Sequence, residues 1–377
     1  MPSRRPPFAV GVVVVLTVAL LTGGCTDPVT PSWRLVTPPG MIPSALFAGP
    51  AGMFVAGQAA PGTAPVLDRR DGDDWRSVPA TAATAYGRVA TFVAGAADPA
   101  GRIVLLGTAT GGAHLNPRWT AWVGDGAGVV EQPQTMETFG GPNAGGLTGV
   151  TYGAEPAVVG SWSVAAGVTG VAVWRHRGPT WEREASPAVF TGSPPASTES
   201  ATATTAMGAR TVIVGLQTDL TAGAVRQRAE FWWSDGGTWS RTDLDTSGAD
   251  SAATDVACSD AECLVVGRRD GVLAAWRVAG SAVPGSWDSG TLVEPVALPE
   301  RAVDHYTGHP RVARDGPLVV IAVEAGSELL TGSDGRTWAS VPTPAGDVRG
   351  LVVRDGTILL LLRDGSGAQQ VHLRPTS

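Results

Sequence analysis

The residues best suited to chemistry stand together in Asp304-His305-Tyr306-Thr307-Gly308-His309. The chain has five histidines, and two of them fall in this hexapeptide. Two imidazoles and a carboxylate can hold a metal ion or pass a proton, because imidazole titrates near neutral pH and coordinates readily. No third ligand stands nearby in sequence, so a solvated loop whose histidines fill local gaps is the competing reading. His114, in Gly111-Gly112-Ala113-His114, could face the same side of the molecule. Asp304, His305, Tyr306, His309 and His114 are therefore candidate binding residues, with no catalytic residue, metal or cofactor assigned. His176 and His372 fall on outer strands and read as surface residues. There is no Gly-x-Ser-x-Gly elbow, no phosphate-cradling loop opening a helix and no His-Glu-x-x-His.

The cysteines report on compartment. Arg4 and Arg5 precede an apolar run of 14 residues, Phe8 to Leu21. That is short of the ~20 residues a spanning helix needs. The run ends in Leu21-Thr22-Gly23-Gly24-Cys25, which resembles a bacterial lipobox, with Thr22 where Leu is usual and Leu21 one place back. The resemblance implies that residues 1–24 are a signal peptide and that Cys25 is lipidated. Residues 25–32 would then tether the protein to the outer face of the cytoplasmic membrane. Two or three acyl chains anchor stably where one is marginal. An ordinary signal peptide cut nearby, or an uncleaved anchor, is the alternative. Cys258 and Cys263 remain as a pair five positions apart. In an oxidising compartment a disulfide is expected; zinc would need four ligands, and no other His or Cys lies near.

Composition narrows the partners. The chain has 27 basic residues, all of them Arg, and a net charge of −7. A strongly basic nucleic-acid face is not expected. After the first segment, no run approaches 18 apolar residues, so no second membrane span is expected.

The elements that must position these residues repeat. Short Val/Leu-rich runs end in glycine at Gly57, Gly107, Gly160, Gly215 and Gly267, spaced by 50, 53, 55 and 52 residues. Leu318 to Val323 and Ile358 to Leu362 continue the series without the glycine. No long 3.6-residue apolar period occurs. A repeat of about 50 residues holding several short strands points to a β-propeller.

A turn and a tryptophan follow most of these runs: Asp71-Gly72-Asp73-Asp74-Trp75, Asp235-Gly236-Gly237-Thr238-Trp239 and Asp334-Gly335-Arg336-Thr337-Trp338, with a weaker copy at Arg177-Gly178-Pro179-Thr180-Trp181. Gly124-Asp125-Gly126 and Arg363-Asp364-Gly365 keep the turn and lose the Trp. Asp-Gly suits a tight hairpin because glycine accepts positive φ and Asp bonds its own backbone. These segments resemble the Asp-box, or BNR, repeat of sialidases and of the photosystem II assembly factor family, in a shortened form. The resemblance implies that Asp71, Asp235 and Asp334 shape turns and that Trp75, Trp239 and Trp338 pack between sheets. It also implies that ligands meet the opposite face.

Six sets of four strands fit between residue 44 and about 342. Three more strands follow, and Trp33-Arg34-Leu35-Val36-Thr37 supplies the missing fourth. The expectation is one domain, residues 33–377, forming an all-β, seven-bladed propeller of four-stranded antiparallel blades closed by its N-terminal strand; six and eight blades are the alternatives. The expected ligand face includes 80–89, 108–117, 134–146, 186–200, 217–225 and 294–308. A sialidase-like hydrolase would need an arginine triad and a Tyr–Glu pair, yet only Tyr86, Tyr152 and Tyr306 are available. The expected function is a non-catalytic, lipid-anchored scaffold that binds a protein or a cell-wall glycan through its loop face. The alternative is a sialidase-like glycosidase or metal-dependent hydrolase in the central funnel.

Overall fold

A computed structural model describes residues 32–111, 117–165, 168–185, 187–191, 197–220, 225–279, 292–304, 309–323, 328–333 and 336–376. The compact unit Ser32–Ser377 is all-β. Seven antiparallel sheets follow one another around a central axis, each with four strands running from the inside out. The innermost strands of blades 1 to 7 are Ile42–Gly49, Thr91–Ala97, Ala144–Tyr152, Ser197–Met207, Ser251–Cys258, Arg311–Asp315 and Asp347–Arg354. Blade 2 carries a fifth, two-residue strand, Ala80–Thr81, parallel to Val129–Val130.

Blade 7 is built from both ends of this unit. Arg34 and Leu35 pair antiparallel with Leu373 and His372, which closes the ring. Flanking contacts extend that short strand. Val36 N–H donates to Val371 O at 2.8 Å, and Val371 N–H donates to Thr37 Oγ1 at 2.9 Å. Trp33 Nε1 donates to Pro342 O of blade 6 at 2.7 Å. Closure covers the outer edge of the strand Gln369–Pro375 at residues 371–373.

Second strands lie between neighbouring blades on both sides, so their apolar runs are continuous rather than alternating. In blade 2, Ile103 and Leu105 pack with Phe47, Phe54 and Leu67 of blade 1. Val104 and Leu106 turn the other way, toward Val158 and Trp174 of blade 3. The core is thus a series of layers between blades.

The marker glycines have a geometric cause. Innermost strands of blades 1 to 5 and 7 carry a β-bulge, and in blades 1 to 5 the residue just before the bulge pairs with a marker glycine: Pro43 with Gly57, Phe92 with Gly107, Leu147 with Gly160, Ala201 with Gly215 and Ala253 with Gly267. The bulge drives backbone into the space a side chain would fill. A Cβ would come within 2.1 Å of Ile42 O at Gly57, and within 1.9 Å of Ser200 O and Ala252 O at Gly215 and Gly267.

Bulged hydroxyls also tie blade to blade. Thr148 Oγ1 donates to Ala201 O at 3.2 Å, Thr202 Oγ1 to Ala253 O at 2.8 Å and Thr254 Oγ1 to Pro310 O at 2.9 Å. Ser44 does the same toward Phe92 O.

Arg363-Asp364-Gly365 departs from the sequence reading. It links the second and third strands of blade 7, on the face opposite the Asp71, Asp125, Gly178 and Asp235 turns. The closing strand comes from the other end of the unit, so blade 7 has no hairpin from its third strand to its fourth. His176 and His372 also differ. Both lie on third strands and are half-buried, and burial lowers both pKa values.

Candidate functional site

Among the described residues, the central channel and a groove on the loop face are two places that can hold a ligand.

The channel is walled by innermost strands from all seven blades and encloses about 360 Å³. Its lining is mostly Ala, Val, Gly and Thr, with Asp255, Arg311 and Arg349 as the charged groups. Asp255 Oδ1 accepts Val256 N–H at 2.9 Å and Oδ2 accepts Val312 N–H at 3.0 Å. Burial raises its pKa, against the pull of Arg311 and of those two bonds. A general acid–base reaction needs a second titrating group across the substrate. Among the described residues lining this part of the channel, Asp255 is the only carboxylate, and no Tyr or His joins it. Asp255 acts instead as a clasp between blades 5 and 6.

The groove lies where Tyr86, residues 117–119 and residues 134–145 meet, between blades 2 and 3. It comprises two adjoining hollows of about 420 and 290 Å³ that share Arg118, Trp119, Met136 and Phe139. Tyr86 closes one end. Met136 is 56% exposed and Tyr86 41%, unusual for large apolar groups on one face.

Each wall is fixed from behind. Buried Glu131 takes Ala83 N–H and Thr84 N–H on Oε2, both at 2.7 Å, and the Thr84 hydroxyl on Oε1 at 2.6 Å. Thr84 Oγ1 in turn accepts Gly87 N–H at 2.9 Å. A Cβ at position 87 would meet the Glu131 carboxylate at 2.0 Å, so any larger residue there would push that carboxylate aside. These contacts lock the turn that presents Tyr86. On the other side, Met136–Phe139 forms a single helical turn. Trp174, buried in blade 3, donates Nε1–H to Thr138 O at 2.7 Å. Gln134 accepts Trp181 N–H at 3.3 Å and donates to Gln132 O at 2.7 Å. Trp232 holds the equivalent loop of blade 4 through Val189 O, at 2.9 Å. Third-strand tryptophans thus anchor loop-face turns.

The residues singled out from sequence fall elsewhere. Asp304 and His309 are exposed in the connection leading into blade 6 and already have interaction partners. His305, Tyr306, His114, Cys25 and Asp334 lie outside the described residues. Among the described residues no three His, Cys, Asp or Glu side chains converge on a metal position. Asp71 is exposed and pairs with Arg76 at 2.5 Å, and Asp235 Oδ1 accepts Gly237 N–H at 3.2 Å. Trp75 donates to Val36 O at 2.7 Å, Trp239 donates to Glu184 Oε2 at 2.9 Å, and Trp338 packs against the core shared by blades 5 and 6. Cys258 and Cys263, directly opposite on neighbouring strands, form a disulfide at the far end of blade 5.

The ligand face expected from sequence included 80–89 and 134–146 and stopped at residue 117, just before Arg118 and Trp119; Tyr86 stood there only as a tyrosine a hydrolase could use, and Met136 and Phe139 were not singled out. The available signal was a cluster of aromatic residues, Met and Arg in segments otherwise rich in Gly, Pro and Thr.

No protein-family model matches the chain, and no curated protein matches it in sequence. Solved structures do resemble it. The β-propeller domain of Cps50 (Swd1) from Myceliophteria thermophila aligns with a TM-score of 0.54 at 12% identity, covering 90% of this chain and 98% of that one. The WD40 propeller domain of Doa1 gives 0.51 at 10% identity, with 91% and 97% covered. The propeller domain of the trilobed protease from Pyrococcus furiosus, which has an open velcro topology, gives 0.50 at 10% identity, with 89% and 94% covered. At these identities the likeness is one of fold, and fold alone does not assign function.

Proposed function

We propose that this chain is an exported lipoprotein whose propeller is a non-catalytic scaffold and holds a protein partner against its loop face. The groove between blades 2 and 3 carries this reading. An exposed tyrosine and methionine, held on turns fixed from behind, form a preorganised apolar site, and such a site loses little conformational freedom on binding. In the part of the channel that holds Asp255, that carboxylate is held by two backbone N–H groups, and among the described lining residues no second acid–base group faces it. Export is supported by the Leu21–Cys25 stretch and by the Cys258–Cys263 disulfide, which suits an oxidising compartment. Shortened Asp-box turns at Asp71 and Asp235 support a distant likeness to that repeat, with the turns on the face away from the groove.

Two experiments test the proposal. Cys25→Ala should release the protein from the membrane fraction and abolish incorporation of labelled fatty acid; unchanged membrane association would remove the anchor from the account. Capture from native membranes with the full-length chain should recover a protein that is lost with Tyr86→Ala/Met136→Ala and retained with changes at Asp71 and Asp235. Equal loss from both faces, or from neither, would contradict it.

A further inference from the structure

Arg118 is the unusual member of the groove. It sits over the Tyr86 ring at 5.8 Å, its Nε is buried without an acceptor, and no carboxylate among the described residues pairs with it. A buried nitrogen without an acceptor also occurs at Arg70, Arg175 and Arg311, but each of these has a carboxylate beside it, Asp73, Glu184 and Asp255 respectively; Arg268 has Asp250 at 2.6 Å, and Arg241 has Glu199 and Glu230, both at 2.9 Å. In a chain of net charge −7 carboxylates are plentiful, yet among the described residues none lines the groove. A partly buried guanidinium without an acceptor is poorly solvated, and a carboxylate arriving with a ligand would satisfy it through charge-assisted bonds.

The rest of the lining says what accompanies that carboxylate. Trp119, Met136 and Phe139 give an apolar floor, and methionine adapts to varied apolar shapes. Gln134 spends both ends of its amide on fixing the loop, and Thr135 Oγ1 lies 3.5 Å from Thr138 Oγ1. Among the described side chains that line the groove, the polar groups that stand out are Arg118 and the Tyr86 hydroxyl. A sugar, with hydroxyls around its ring, would leave most of them unpaired; an apolar side chain would not.

We propose that the groove takes an extended segment of a partner protein that sets a large apolar side chain beside an Asp or Glu, with the apolar group on Trp119, Met136 and Phe139 and the carboxylate on Arg118. This rests on the loop face being the binding face. Apolar burial supplies affinity, and the Arg118 pair supplies register and selectivity.

The test pans a random-peptide phage library against the full-length protein and then titrates fluorescein-labelled peptides by anisotropy. Enriched sequences should place Leu, Ile, Phe or Met within two positions of Asp or Glu. Changing that acid to its amide should weaken binding to the wild type by about tenfold or more. The same change should make no difference on Arg118→Gln, whose melting curve serves as the folding control. Met136→Ala should weaken the acid and amide peptides alike. Three results would overturn the proposal: no enrichment, enrichment without an acid, or binding indifferent to Arg118→Gln. Glycan-array retention lost with Tyr86→Ala/Met136→Ala would assign the groove to a sugar instead. If panning fails while the partner captured from membranes still depends on the loop face, the stated occupant is wrong and the binding face stands. If capture is indifferent to that face, the underlying reading fails as well.

Discussion

Arg241, in the outer strand of blade 4, stands among three acids. Its Nη1 lies 2.9 Å from Glu199, its Nε and Nη2 lie 2.9 and 3.0 Å from Glu230, and Nη2 is 3.6 Å from Asp243. One cation cannot offset three anions away from water. Burial pushes Glu230 up to about 9, with Asp243 and Glu199 adding to the shift and Arg241 opposing it. Glu199 is raised as well, again by burial. At neutral pH the folded state therefore holds a proton that the unfolded chain, with Glu near 4.5, has released. The folded state binds more protons across that window, so this group's contribution falls as pH rises from about 4.5 to about 9 and is flat above. Glu230→Gln cannot titrate. Urea midpoints at several pH values should show the variant gaining on the wild type as pH rises through the window; a constant difference would contradict the buried proton. A second residue-scale prediction concerns Glu131, which accepts three hydrogen bonds behind Tyr86. Glu131→Ala should cost about 2–3 kcal/mol in chemical unfolding and expose the 82–90 amides to hydrogen exchange.

At the scale of the element, the innermost strand and its neighbour form one device: a bulge, a glycine opposite it, and a hydroxyl reaching the next blade. Gly215→Ala places a Cβ 1.9 Å from Ser200 O, so backbone must move. It should destabilise by about 2–3 kcal/mol, while Thr202→Val, which removes one link to Ala253 O, should cost about 1 kcal/mol. Denaturant titration ranks the two, and the reverse order would mean that the bulge relaxes freely. This device is why the repeat was legible in sequence: backbone crowding leaves only glycine, and burial on both faces leaves only apolar neighbours. The groove was less legible for the opposite reason. The helical turn Met136-Glu137-Thr138-Phe139 is held in place by Trp174, 36 positions later, which bonds Thr138 O. No local pattern encodes a contact of that range. The Asp304–His309 segment stood out by residue type, but Asp304 and His309 are exposed outside the groove, and chemistry-bearing residues need a wall around them to make a site.

The unit Ser32–Ser377 is a ring held shut by two strand residues and their flanks. Counting blades from the sequence succeeded because three strands at one end lacked a fourth and the other end had one to spare. A chain beginning at residue 39 would lose Arg34, Leu35 and the Trp33, Val36 and Thr37 bonds, exposing the edge at Gln369–Pro375. Its melting temperature should fall by about 5 °C or more, with concentration-dependent association through the open edge. An unchanged melting temperature would show that packing between blades closes the ring unaided. On the proposed function, the groove side meets the partner and the Asp-Gly turn side does not. Site-specific photo-crosslinking in native membranes separates them, with the probe at position 136 in one chain and at position 235 in another. The account predicts one discrete protein adduct from 136 and none from 235. An adduct confined to 235, or equal labelling from both, would contradict it.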